Sequence, residues 1–155
     1  MRHLLDSINW KKEVEALNRQ IKEHNSLKSK SRALIRLGLI YDQLAIKFPS
    51  KRKFYQKEAI KYFRKCLSIC KNKNLKIRAL NGLSIVYLHQ GKYDLAEQIL
   101  KKALRLTKSI KYLPAVLNSL GNVYKQKNDF KKSLYYYCLA FNKAFSRNKD
   151  LANII

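Results

Sequence analysis

Two stretches of this chain carry one pattern, 37 positions apart: residues 117–140, LNSLGNVYKQKNDFKKSLYYYCLA, repeat residues 80–103, LNGLSIVYLHQGKYDLAEQILKKA, with Tyr124 in register with Tyr87 and Ala140 with Ala103. A further step of the same size brings Cys66 level with Ala103, and residues 34–41 join the register once nine extra residues are allowed between the two halves of that first unit. Each unit has apolar, small and aromatic residues at helical spacing in two short blocks. A fixed period of this length, each unit one helix pair, predicts a stack in which neighbouring units bury each other's apolar faces.

Size alternation supplies the packing rule within a unit. Gly121 and Ser133 would let two backbones approach, and Tyr124, Phe130 and Tyr137 would fill the space around that crossing. Gly91 stands where the first helix of its unit should end, in a left-handed conformation that costs glycine little. Asn128 takes the same place in the next unit, followed by Asp129 as an N-cap. Asp94 and Glu97 fall where a helix N-terminus favours negative charge, and Pro114 stands where proline opens a helix.

The residues that carry the pattern resemble tetratricopeptide repeats. In the third unit they are Leu120, Gly121, Tyr124, Asn128, Phe130, Ser133 and Ala140; in the second, Leu83, Ser84, Tyr87, Gly91, Tyr93, Ala96 and Ala103; in the first, Leu37, Gly38, Tyr41, Ala59 and Cys66. The departures are a spacing longer than the family's usual one, the insertion in the first unit, and Ser84, Ser133 and Cys66 at positions where Gly or Ala is commonest. The resemblance implies an all-α fold, a right-handed superhelical stack of antiparallel helix pairs. It also implies a protein-binding scaffold of the assembly-factor or chaperone-like kind. The expected organisation is a single domain: a capping helix over 1–27, repeats over 30–71, 75–108 and 112–145, and a C-terminal cap stub over 149–155.

Within that frame the chain reads in order. Residues 1–27 carry a helical stripe through Ile8, Val14, Leu17 and Ile21, opened by Asp6 and Ser7 as a cap, with Trp10 packing it down. Residues 26–31, SLKSKS, read as a connector. Residues 32–48 and 56–71 read as the helices of the first unit, with a loop FPSKRKFY between them. The loop's Lys51, Arg52 and Lys53 beside Phe54 and Tyr55 are candidate anion or nucleic-acid contacts. The competing reading is a solvated loop whose rings fold back onto the core. The tail from 146 restarts an apolar pattern through Leu151 and Ile154, as the first turns of a fourth leading helix that would either cap the stack or meet another chain.

Composition narrows the function. Lys and Arg number 34 against 10 Asp and Glu, a net charge of +24. Lysine supplies most of the excess, as in an AT-rich coding bias, yet no acid lies between Glu58 and Asp94, and only Asp129 and Asp150 follow Glu97. Such a surface repels itself unless salt or a polyanionic partner screens it. No run of apolar residues is long enough for a membrane span and no leader pattern opens the chain, so a soluble, cytoplasmic protein is expected, with an organellar compartment left open. Cys66, Cys70 and Cys138 have no metal or redox spacing, the histidines His3, His24 and His89 are scattered, and no phosphate-binding glycine loop exists. No catalytic residue, metal site or cofactor is expected.

A binding wall is easier to place. The first helix of each unit lines the inner face of such a stack. Asn118 and Asn122, four apart, share one face; Asn81 aligns with Asn118 and Ile85 with Asn122. Amide side chains donate and accept, so they can hold the backbone of an extended peptide. Arg32, Ile35, Asp42, Arg78, Leu88, His89 and Lys125 would line the same wall. The alternative is that the asparagines only satisfy neighbouring backbone. The expected partner is therefore an extended, acidic protein segment. The rivals are electrostatic association with nucleic acid or a ribonucleoprotein, and attachment to anionic lipid; self-association through the C-terminal stub is a further option.

Overall fold

The computed structural model describes residues 2–107 and 111–152, with side chains over 9–107 and 111–146. Among these residues the chain is all-α: seven α-helices that pack in adjacent pairs, one short 3-10 turn and no strand. By compactness it divides into two units, Met1–Leu75 and Lys76–Ile155.

The first unit holds α1 (Arg2–Glu23), α2 (Leu27–Lys47) and α3 (Arg52–Ile69), with a 3-10 turn at Pro49–Lys51. Trp10, Leu17 and Ile21 of α1 pack with the buried Val14 against Leu37, Ile40, Leu44 and Ala45 of α2, so the apolar stripe and the inward Trp10 are as expected. Ile8 lies outside the described side chains. Helix α1 begins at Arg2, so Asp6 and Ser7 lie within it and do not cap it. The expected connector at 26–31 is instead the start of α2: Ser26 is its N-cap, with its hydroxyl accepting from the Ser29 amide.

The basic loop is also corrected. The nine extra residues lengthen α2 and α3 by about one turn each, and only residues 48–51 lie between the helices. Leu37, Ile40 and Leu44 continue at helical spacing, and the added turns bury Leu44, Ala45 and Tyr55 in one cluster with Phe48. Burial of that apolar surface outweighs the tendency of Pro49 to end the helix early.

The second unit holds most of α4 (Lys73–His89), then α5 (Tyr93–Leu106), α6 (Leu113–Gln126) and α7 (Phe130–Ala152). The turns follow the expected chemistry. Gly91 has φ 74° and Asn128 φ 59°, both left-handed, and the Asp129 carboxylate accepts from the Lys132 amide at 3.1 Å as an N-cap. Pro114 stands in the first turn of α6.

The close crossing of α6 and α7 is at Gly121 and Ser133: the Ser133 hydroxyl donates to the Gly121 carbonyl at 2.9 Å. A methyl group on Gly121 would meet the Tyr137 ring at 2.5 Å. The first unit repeats the device with Gly38 beneath the Phe63 ring, where a methyl would meet it at 2.7 Å. Cys66 is fully buried in the small-residue slot of the first unit, as Ala103 is in the second. One expected core residue fails: Phe130 is 65% exposed, because it opens α7 about two turns before Tyr137, the ring that lies over Gly121. Helix α7 also runs unbroken through Ala152, with no restart after 145; residues 153–155 lie outside the described region.

Candidate functional site

The leading helices α4 and α6 show how the candidate residues are presented. On α6 the spacing 118, 122, 125 forms one ridge: Asn118 and Lys125 are exposed and Asn122 is half-buried. The Tyr137 hydroxyl donates to the Asn122 Oδ1 at 2.6 Å. That bond takes the amide's acceptor and fixes its orientation, so what Asn122 offers a ligand is its NH2 donor pair. Asn118 keeps both functions at the surface.

On α4 the equivalent positions are Arg78, Asn81, Ile85 and Leu88. Arg78 is exposed, the other three are half-buried, and His89 beyond them is exposed. Asn81 Oδ1 is a buried oxygen with no hydrogen-bond partner, an unusual state for a carbonyl that burial has stripped of water. In the first unit Arg32 is exposed, but Ile35 is 2% exposed and Asp42 is 8% exposed. These two are buried and unavailable to a ligand. The ridge expected on α2 is therefore reduced to Arg32. Lys51, Arg52 and Lys53 are all exposed, flanking the 3-10 turn and opening α3; Tyr55 folds into the core, whereas Phe54 stands 58% exposed beside them.

Asp94 lies in the first turn of α5, as its place by the helix N-terminus predicts, but Glu97 sits one turn further on and does something else. Glu97 is the centre of a network between α5 and the end of α6. Its Oε1 accepts from the Tyr124 hydroxyl at 2.7 Å and pairs with Lys101 at 2.6 Å; its Oε2 accepts from Lys127 at 2.8 Å. Lys127 also reaches Asp94 Oδ1 at 2.8 Å. Burial pushes the Glu97 carboxyl up, but the hydrogen bonds from Lys101, Lys127 and Tyr124 outweigh it and hold the pKa down at about 2. Tyr124 is pushed well above its ordinary value by burial and then by Glu97, and its ring stacks on Tyr136 at 5.3 Å. In the first unit Tyr41 is pushed up to about 12, first by burial and then by Tyr62, on which it stacks at 5.4 Å. A carboxylate fixed as an anion and tyrosines fixed as neutral phenols exchange protons poorly near neutrality, so these groups staple helices together and are unsuited to acid–base work.

Among the described residues no group of three or more His, Cys, Asp or Glu side chains is placed to hold a metal ion, and no helix is long and apolar enough to cross a membrane.

One surface went unnoticed in the sequence. Phe130, Leu134, Phe141 and Phe145 on α7 are each between 62% and 69% exposed, and Cys138 between them is exposed as well. Their spacing of four, four, three and four puts all five on one face. Its spacing is legible in the sequence, but the pattern that places Phe130 in the core conceals it.

No curated protein matches the chain. The tetratricopeptide repeat family model matches residues 57–109, a span that covers most of α3, all of α4 and α5 and the turns between them. Over that span the chain is similar to the tetratricopeptide repeat family, whose members act as scaffolds for protein–protein interaction, and the helix pairs on either side repeat in register with it.

Proposed function

We propose that this protein is a non-enzymatic scaffold that holds an extended acidic segment of a partner protein on the exposed ridges of its leading helices. The observation that carries this reading is the state of the carboxylates. Glu13, Glu58, Asp94, Glu97 and Asp129 each hold a lysine or arginine of the same chain already. With 34 cations against 10 acids, the remaining positive charge must find its counter-charge outside the chain. Asn118, the NH2 of Asn122 and Lys125 then supply backbone capture and charge side by side on α6, and Arg78 with Asn81 repeats the pairing on α4. Long-range attraction from the surplus cations would speed the encounter, and the amides would hold the chain once it arrives.

The test follows from the geometry. Asn122→Ala would strip the Tyr137 hydroxyl of its partner, so the informative variant is Asn118→Ala with Lys125→Ala, both at exposed positions. Partners captured from extract in low salt should survive nuclease treatment and fall away with this double variant, while the far-ultraviolet dichroism stays unchanged. Loss of every partner on nuclease treatment would overturn the reading in favour of nucleic acid. That second reading has one specific support, the exposed Phe54 ring beside Lys51, Arg52 and Lys53.

A further inference from the structure

We infer that the outer face of α7 is a docking surface for an amphipathic, acidic helix of a partner protein, distinct from the ridges of the leading helices. The repeat register says what kind of element fits there. Counting back 37 positions, Phe130, Leu134, Cys138 and Phe141 stand level with Tyr93, Glu97, Lys101 and Leu104 of α5. That face of α5 is the one turned to the next leading helix: Glu97 takes the hydroxyl of Tyr124 from α6 and the ammonium of Lys127 just beyond it, and Tyr93, Glu97 and Leu104 are half-buried. The corresponding face of α7 is thus built to receive a helix, and among the described residues nothing lies on it.

Its chemistry is more apolar than that of its counterpart. Where α5 offers a carboxylate and an ammonium, α7 offers leucine, a thiol and three phenylalanines. The Phe141 and Phe145 rings stack at 6.3 Å and 16° into a flat shelf. The stripe from 130 to 145 is about 22 Å long at the helical rise, roughly four turns of a partner helix. A row of exposed side chains this large and this continuous marks an interaction surface.

Charge chooses the occupant. Between residues 130 and 146 the helix carries three lysines, Lys131, Lys132 and Lys143, and no carboxylate. The one acid at its start, Asp129, is already bonded to Lys132. A second copy would bring an identical cationic face to this one, each on a chain of charge +24. A helix with an apolar stripe and flanking glutamates would cover the phenylalanines and meet the lysines with opposite charge.

The probe is a labelled peptide of about four turns with leucines at one-face spacing and glutamates elsewhere. Its controls are a peptide of the same composition in scrambled order, and the amphipathic order with lysine in place of glutamate. Titration by fluorescence anisotropy should give a dissociation constant at least about tenfold tighter for the amphipathic acidic peptide than for either control. Phe141→Ser with Phe145→Ser, both on the surface and checked for unchanged helicity, should weaken it by at least about tenfold. Asn118→Ala with Lys125→Ala should shift it less than about twofold, which separates this surface from the ridge on α6. Equal binding of scrambled and amphipathic peptides would reduce the effect to bulk charge and overturn the proposal, as would no measurable binding or indifference to the phenylalanine changes. Sedimentation showing a dimer that the same changes dissolve would overturn it in favour of a second copy.

Discussion

A methyl group is the largest unit of error the crossing of α6 and α7 can register. Gly121→Ala places one at 2.5 Å from the Tyr137 ring, whose hydroxyl is anchored on Asn122. Alanine gains about 1 kcal/mol of helix propensity over glycine, yet moving the ring costs its packing and its hydrogen bond. The expected net loss is about 1–2 kcal/mol, read as a fall in denaturation midpoint. Adding Tyr137→Leu should return most of it, because the second unit places Ser84 and Leu100 at the same two positions. If the double variant is as weak as the sum of its parts, the ring is not the obstacle. This pairing of a small residue with a ring was legible in the sequence at Gly121 and Tyr137, and Gly38 and Phe63 stand at the same two positions of the first unit. Which ring would lie over the glycine was not: Phe130 and Tyr137, seven residues apart, share one face of α7 and differ by about two turns along it, so periodicity alone does not choose between them.

At the scale of elements, Glu97 joins α5 to α6 and its end through Tyr124 and Lys127, with Lys101 of α5 as a third donor. Its folded pKa of about 2 lies below the ordinary value of 4.5, so the unfolded chain takes up protons first as the pH falls. The stabilisation is therefore complete above about pH 4.5 and is lost progressively down to about pH 2. Its size is about 1–2 kcal/mol after allowing for solvent screening at a side chain 14% exposed. Glu97→Gln should lower the melting temperature at neutral pH and flatten its decline between these two values; an acid limb of unchanged steepness would place the pH dependence elsewhere. Helix pairs and their turns were legible because left-handed caps admit few residues, and Gly91 and Asn128 are two of them. The loop at Lys51 to Lys53 was not: proline and serine signal a turn locally, whereas the burial of Leu44, Ala45 and Tyr55 that extends both helices depends on α1, far away in sequence. Ile35 and Asp42, placed on the binding wall by register, are buried, and periodicity alone does not name what covers a helix face.

For the whole chain, charge is the dominant long-range term, and it is shared between the units. Residues 1–75 hold 19 Lys and Arg against 6 acids, and residues 76–155 hold 15 against 4, giving +13 and +11. Neither unit can neutralise the other, so self-repulsion opposes folding in both. The melting temperature should rise between about 0.02 M and about 0.5 M sodium chloride as the screening length shrinks from some 20 Å to about 4 Å, and phosphate should act at lower concentration. A flat response would show that the cations are spaced widely enough not to feel one another.

Of the three thiols, Cys66 and Cys70 are buried while Cys138 stands in the open, midway along the row of rings on α7. Nature has thereby put a chemical reporter at the centre of that face. The rate at which a bulky maleimide consumes it measures, without engineering of any kind, whether that side of the helix is covered or bare.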